Sequence, residues 1–241
     1  MIPAPTGIPG PAQRGFVEIL ETEAEPDPLA EELESVADPH RIGVLGGTFD
    51  PPHIGHLWLA TLAADELELD RVLFMPAAQP PHKQGEALTP AAHRLIMTRL
   101  AIAGDPLFEL SLIEIERAGP SYTVDSLVEL RDIYGPDAHL FLVMAADSLA
   151  AIGSWKEPDR ILALAEWAVA PRSGSLIPPP GELHARFGEA AARIHLLSGP
   201  ALDVSSTEVR ERVATGRAIR YLVPRSVEEL IVDRQLYPRQ A

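Results

Sequence analysis

Cysteine is absent from the 241-residue chain, which excludes disulfides, thiolate catalysis and Cys-ligated zinc or iron–sulfur centres, and fits a reducing compartment. Positive charge is scarce. There are 20 Lys+Arg against 35 Asp+Glu, a net charge of −15, and only two of the cations are lysines, Lys83 and Lys156. Nonspecific binding to nucleic acid or to an anionic membrane needs a dense cationic face, so neither partner is expected. A small anionic ligand stays open, because a few local donors outweigh the mean field. Long apolar runs are missing too. The most apolar stretch, Leu140 to Ala146, has seven residues, about a third of what a transmembrane helix needs. The N-terminus lacks a basic region followed by an apolar core, so no secretory signal is expected and the protein is expected to be soluble and cytoplasmic. What is present suits a globular protein: 46% apolar and 23% charged residues support one large domain, or one domain plus extensions.

Residues 1–40 stand apart. They hold nine acidic residues, one arginine (Arg14) and seven of the 24 prolines, so they carry −8 of the total charge of −15. Enrichment in proline and acid predicts a disordered extension, with at most a short helix in Phe16–Glu25 or Leu29–Val36. A regulatory or docking tail is the alternative. Residues 41–241 form the expected domain. There the pattern predicts strands at Ile42–Leu45, Arg71–Met75, Phe108–Glu116, Leu140–Met144, Ala168–Ala170 and Ile194–Leu197. Helices are predicted at Ile54–Leu69, Pro90–Ala103, Thr123–Tyr134, Pro158–Glu166, Glu182–Ala192, Ser206–Thr215 and Ser226–Asp233. Strands alternating with helices predict an α/β fold, a parallel sheet with right-handed crossovers and helices on both faces. Ligands of such sheets bind beyond the carboxyl ends of the strands.

The strongest local signal follows the first strand: Gly46-Gly47-Thr48-Phe49-Asp50-Pro51-Pro52-His53-Ile54-Gly55-His56. Paired glycines let backbone approach a ligand, and free amides at the next helix's N-terminus attract anions. His53 and His56 are three apart and project from one face of the first helical turn. Two imidazoles placed there can donate to a phosphate oxygen through Nε2–H and stabilise charge that builds up on it. The segment is neither a Walker loop nor the dinucleotide fingerprint. Structural histidines, or two ligands of a zinc site, are the other readings; zinc needs a third and usually a fourth ligand, and none is evident nearby.

This motif resembles the T/HxGH signature of the nucleotidyltransferase superfamily. Further landmarks resemble its bacterial nicotinate-nucleotide adenylyltransferase branch: Pro80-Pro81-His82-Lys83, Ser121-Tyr122-Thr123, Asp147-Ser148-Leu149, Ser154-Trp155, Arg172 with Gly174, and Ser205-Ser206-Thr207-Glu208-Val209-Arg210. Tyr221-Leu222-Val223-Pro224 through Leu236-Tyr237 also matches, so the similarity runs from about Ile42 to Tyr237. It implies a doubly wound, Rossmann-like parallel sheet, the HxGH nucleotidyltransferase fold. It implies transfer of AMP from ATP to nicotinate mononucleotide, giving deamido-NAD and pyrophosphate in NAD biosynthesis.

The nucleophile of that reaction is already an anionic phosphate oxygen, so no general base is needed, and the sequence offers no Ser-His-Asp or paired-carboxylate set to supply one. What the reaction needs is alignment of two repelling anions and neutralisation of charge on the α-phosphate and the leaving pyrophosphate. The resemblance implies His53, His56 and Arg210 as catalytic residues. It places ATP on Gly46, Gly47, Thr48, Phe49, His53, His56, Lys83, Asp147, Ser206, Thr207 and Arg210. The mononucleotide would contact Thr48, Tyr122, Thr123, Trp155 and Arg172. Ser206-Thr207-x-x-Arg210 opens a helix whose serine cap and arginine suit pyrophosphate; an ordinary cap with a surface arginine is the plain reading. Lys83 reads equally as a loop cation over the nucleotide or as a solvated lysine. Asp147 would accept bonds from ribose hydroxyls, or else cap a helix. Trp155 would stack on the pyridine ring, whereas Trp167 reads as core. Two departures from the family pattern are Ala145 in place of a glycine and Ser173 in place of a proline. Mg²⁺ is expected on the polyphosphate, held by phosphate and water, with no protein ligand named. The alternatives are an adenylyltransferase for nicotinamide mononucleotide or another phosphorylated acceptor, or a non-catalytic nucleotide-binding sensor. The oligomeric state is left open.

Overall fold

The computed structural model describes residues 41–83 and 85–238, with no side chain for His82. The extension expected over 1–40, with at most a short helix in Phe16–Glu25 or Leu29–Val36, lies outside the described residues. Six parallel strands form one sheet: β1 (Arg41–Gly47), β2 (Arg71–Pro76), β3 (Phe108–Leu110), β4 (His139–Ala145), β5 (Glu166–Ala170) and β6 (Ile194–Leu196). Their order is β3-β2-β1-β4-β5-β6. This is the doubly wound order, whose direction reverses between β1 and β4, and the crevice there is where such sheets bind ligands.

The strands look uniformly apolar in sequence because both faces are covered. Alternate residues nevertheless divide between two cores. Ile42 and Val44 of β1, Leu140, Leu142 and Met144 of β4, and Trp167 and Val169 of β5 enter one core. Leu45, Phe141, Val143, Ala168 and Ala170 enter the other. The first core is closed by α4 (Thr123–Tyr134), α5 (Ala146–Ala151), α6 (Pro158–Leu164) and α7 (Pro180–Phe187). The second is closed by α1 (Ile54–Glu66), which supplies Ala60, Leu62, Ala63 and Ala64. Trp167 is fully buried, as expected of a core tryptophan; its truncation to alanine would cost about 3–5 kcal/mol.

A third core joins α2 (Ala91–Ile102), α8 (Ser206–Ala214) and α9 (Arg225–Asp233) through Met97, Val209, Ile219, Val223, Val227 and Ile231. Ile54, which opens α1, packs on it, and its N–H donates to Leu222 O at 2.9 Å. The carboxyl-terminal segment is thereby fastened to the start of α1.

Several boundaries differ from expectation for identifiable reasons. The strand expected over Phe108–Glu116 stops at Leu110 and is followed by α3 (Ile113–Glu116), where the Glu114 carboxylate turns inward to accept from the Ser126 hydroxyl. The helix expected over Glu182–Ala192 ends at Phe187, because Gly188 takes φ 60° and a 3₁₀ segment follows. α6 stops at Leu164, so Glu166 already belongs to β5. α5 matches the alternative reading of a helix beside Asp147, but it begins one residue before it, at Ala146. Among the described residues no helix is long and apolar enough to cross a membrane.

Candidate active site

β1 runs into Gly46-Gly47 at the sheet's carboxyl edge. A Cβ on Gly46 would meet only the Met75 methyl, at 3.7 Å, and the residue is exposed, so the backbone is open on that side. The loop then turns inward at Phe49, with φ 48° and its ring buried beside Phe74 and edge-on to His56, the centroids 4.9 Å apart. Phe49 can therefore offer a ligand only its backbone. His53 caps α1, and its backbone N–H donates to Nδ1 of His56 at 3.2 Å. The two rings stack, centroids 3.8 Å apart and planes 29° from parallel. Gly55 between them permits this closeness: a Cβ there would lie 2.9 Å from Val204 and 3.0 Å from the His53 ring.

That geometry sets the chemistry of the pair. Because His56 Nδ1 accepts a backbone N–H, the neutral ring carries its proton on Nε2. His53 Nδ1 is buried without a partner in the protein, which leaves Nε2 as its ring atom for a ligand. Burial first, and Arg172 second, lower the His53 pKa to about 4. His56 is pushed well below its ordinary value by burial, then by His53 and Arg172. Both rings are neutral N–H donors at pH 7, and neither is poised as an acid or base. Among the described residues no group of three or more His, Cys, Asp or Glu could hold a metal ion.

Arg172 follows β5 in a turn closed by Ser175 N–H to Arg172 O at 3.1 Å, with Gly174 at φ 76°. The serine at position 173 is thus accommodated in a tight turn. His53, His56, Ala145 and Arg172, with Trp58, Leu59 and Leu202, line a cleft of about 50 Å³. Asp147, expected to meet a ribose, instead pairs with Arg172 across 3.3 Å, and its Oδ1 accepts from Ser148 N–H. It lies in the first turn of α5, whose cap is Ala145, so Asp147 is not the capping residue. The residues expected to hold the two different substrates are here paired with each other.

α8 closes the other side. Its cap is Ser205, whose Oγ accepts from Glu208 N–H at 3.1 Å; Ser206, expected to begin the helix as its cap, is the first helical residue. The Ser206 hydroxyl donates to Pro51 O at 2.8 Å. Arg210 donates from Nη1 to Asp50 O at 2.7 Å and from Nη2 to Thr207 Oγ1 at 3.2 Å. The fold therefore joins Ser206, Thr207 and Arg210 to the histidine loop across about 155 residues of chain.

Lys83 sits half-buried in a 3₁₀ turn after β2. Tyr122 and Trp155 are half-buried on the edge of the first core, and Lys156 lies over the Tyr122 ring, 4.8 Å from its centroid, while pairing with Asp125. Thr123 opens α4 beside them. These residues line no part of the histidine cleft.

Among the buried polar residues, Arg94 and Glu114 lie outside every motif of the sequence, and Asp50 and Ser121 lie within motifs that assign them no role. Arg94 is 1% exposed and donates to the carbonyls of Thr48 (2.8 Å), Ala77 (2.7 Å), Ala78 (3.2 Å) and Thr89 (2.9 Å). Asp50 accepts from Thr89 N–H and from the Tyr237 hydroxyl. Glu114, whose pKa burial raises, lies under Ser121 and Ser126, and Ser121 Oγ accepts the N–H groups of Ala78 and Gln79. The motifs around Asp50 and Ser121 are the signal that could have found those two; no local signal marks Arg94 or Glu114.

The family model described as cytidylyltransferase-like matches residues 44–212. The "probable nicotinate-nucleotide adenylyltransferase" of Thermomicrobium roseum is 48% identical over 197 residues, covering 82% of this chain and 91% of that protein. That of a Roseiflexus species is also 48% identical, over 196 residues, covering 81% and 97%. Among solved structures, a nicotinic acid mononucleotide adenylyltransferase of Plasmodium falciparum, complexed with NaAD, aligns with a TM-score of 0.68 at 18% identity, covering 82% of this chain and 97% of that one. At that identity the likeness concerns the fold.

Proposed function

The chain belongs to the nicotinate-nucleotide adenylyltransferase family, and on that basis we propose that it transfers AMP from ATP to nicotinate mononucleotide, making deamido-NAD and pyrophosphate for NAD biosynthesis. The observation that carries the reading is the stacked pair of neutral imidazoles, His56 with its Nδ1 occupied by the His53 N–H. A phosphate oxygen of the mononucleotide attacks the α-phosphorus of ATP, and the bond to the bridging oxygen of pyrophosphate breaks. His53 and His56 donate N–H bonds to the α-phosphate oxygens, where charge shifts as the bonds exchange. Neutral donors suit this task, since no proton has to be transferred to or from the attacking oxygen. Arg210, steered by the Asp50 carbonyl, takes the leaving pyrophosphate, with Ser206, Thr207 and Lys83 beside the polyphosphate.

The Gly46–Phe49 backbone lets the phosphates approach, and Arg172 with Thr48 serves the acceptor's phosphate. Tyr122, Thr123 and Trp155 take the pyridine ring. Binding exchanges the Asp147–Arg172 pair for contacts with substrate, freeing Asp147 for the adenosine ribose. Mg²⁺ would enter with ATP as part of the substrate and would neutralise charge on the polyphosphate. Both nucleotide substrates point to the cytoplasm.

The test is pyrophosphate release from ATP and Mg²⁺ with nicotinate mononucleotide and nicotinamide mononucleotide in parallel. Release much faster with the acid supports the assignment. Equal rates would make the enzyme dual-specific, and ATP binding without release from either acceptor would overturn catalysis in favour of a sensor.

A further inference from the structure

Asp50 is 1% exposed and stands three residues before His53, yet its carboxylate is closed to substrate. Oδ2 accepts from Thr89 N–H at 3.1 Å and Oδ1 from the Tyr237 hydroxyl at 2.6 Å. The carbonyl of the same residue is the acceptor that holds Arg210 Nη1 at 2.7 Å. Asp50 therefore joins three elements distant in sequence: the loop before α2, the helix that carries Arg210, and the residues after α9. Tyr237 is held for this bond. Its backbone takes φ 57°, an uncommon conformation for a large side chain, and its hydroxyl also lies 3.9 Å from Met97 Sδ.

We infer that Tyr237 is a positioning residue for nucleotidyl transfer: its hydroxyl fixes the Asp50 carboxylate and, through the Asp50 carbonyl, the guanidinium of Arg210. The argument is one of degrees of freedom. A guanidinium on a flexible stem stabilises a leaving group in proportion to the time it spends correctly oriented. Arg210 has two anchors, the Asp50 carbonyl and Thr207 Oγ1, and the carbonyl is the shorter bond by 0.5 Å. That carbonyl is only as fixed as its residue, and its residue is fixed by the two bonds to its side chain. Without the hydroxyl, a buried carboxylate oxygen loses its partner, and the residue shifts to find another or to reach water. The loop on its far side has further anchors, because Arg94, which also feels the charge of Asp50, holds Thr48 O at 2.8 Å and three other carbonyls. The displacement falls on Asp50 and Arg210.

The inference rests on Arg210 serving the pyrophosphate, and the test separates the two claims. Tyr237→Phe, Arg210→Ala and the double variant are compared by steady-state kinetics, with melting temperatures as a check of folding. Loss of one such hydrogen bond predicts that Tyr237→Phe lowers kcat about tenfold, with a KM for nicotinate mononucleotide that changes little. In the Arg210→Ala background the same substitution should lower kcat less than twofold, since the group it positions is gone. A full tenfold loss in that background, or an unchanged kcat for Tyr237→Phe alone, would overturn the inference. An unchanged kcat for Arg210→Ala would instead overturn the role of Arg210. Should Tyr237→Phe fail to fold, Asp50→Asn carries the same comparison, because it replaces the charge-assisted bond from the Tyr237 hydroxyl by a weaker, neutral one.

Discussion

The low affinity of the paired imidazoles for protons can be tested directly, because it changes both spectra and stability. Lowering the pH from 8 to 5 would protonate about 97% of a histidine at its ordinary 6.5, but only about 10% of one held at about 4, as His53 is. His56, lowered further by its neighbours, should stay neutral too, with the proton on Nε2 dictated by its bond from the His53 N–H. The assay is nitrogen NMR of histidine-labelled protein, where the neutral tautomers and the cation have distinct ring shifts. The sign for stability follows. The unfolded chain takes up a proton near pH 6.5 while folded His53 does not, so stability is complete above 6.5 and is lost as pH falls toward 4. The gap between 6.5 and about 4, at about 1.4 kcal/mol per pH unit, makes the His53 share about 3 kcal/mol. His53 is 4% exposed, so solvent screening reduces this little. Titration of both rings near 6.5 would refute the neutral-donor mechanism.

Three further outcomes are expected. His56→Ala should lower kcat by about 100-fold or more with little change in KM, as loss of a transition-state donor does; turnover within twofold of the parent would remove the ring from the mechanism. Gly55→Ala places a methyl 2.9 Å from Val204 and 3.0 Å from the His53 ring. Overpacking of about 1–3 kcal/mol should outweigh the gain in helix propensity, and the melting temperature and kcat should fall together. Deleting residues 1–40 should leave kcat and the melting transition of 41–241 nearly unchanged; loss of folding would make the extension part of the domain.

The histidine loop was legible because its information is local. A spacing of three residues puts two imidazoles on one helical turn, and the intervening glycine lets them stack. The sheet was legible for a similar reason, since each strand's short apolar run and each crossover helix's periodicity lie within a few residues. Local patterns misplaced what long-range contacts decide. The stretch after Leu110 bends into a helix, with Glu114 turned inward to the Ser126 hydroxyl, and nothing in its own residues announces that partner. Ser206 reads as a cap, but Ser205 takes that place and Ser206 bonds across to Pro51.

The sequence by itself determined the parallel α/β architecture, the histidine loop after the first strand and the types of donor it carries. Tertiary structure alone decided how those donors are charged and aimed. The low pKa of His53 comes from burial and from Arg172, which lies more than a hundred residues away. The aim of Arg210 comes from Asp50, and the hold on Asp50 from Tyr237, 187 residues further on. A hydrogen bond depends on position to within tenths of an ångström, and that precision belongs to packed elements rather than to any segment of the chain.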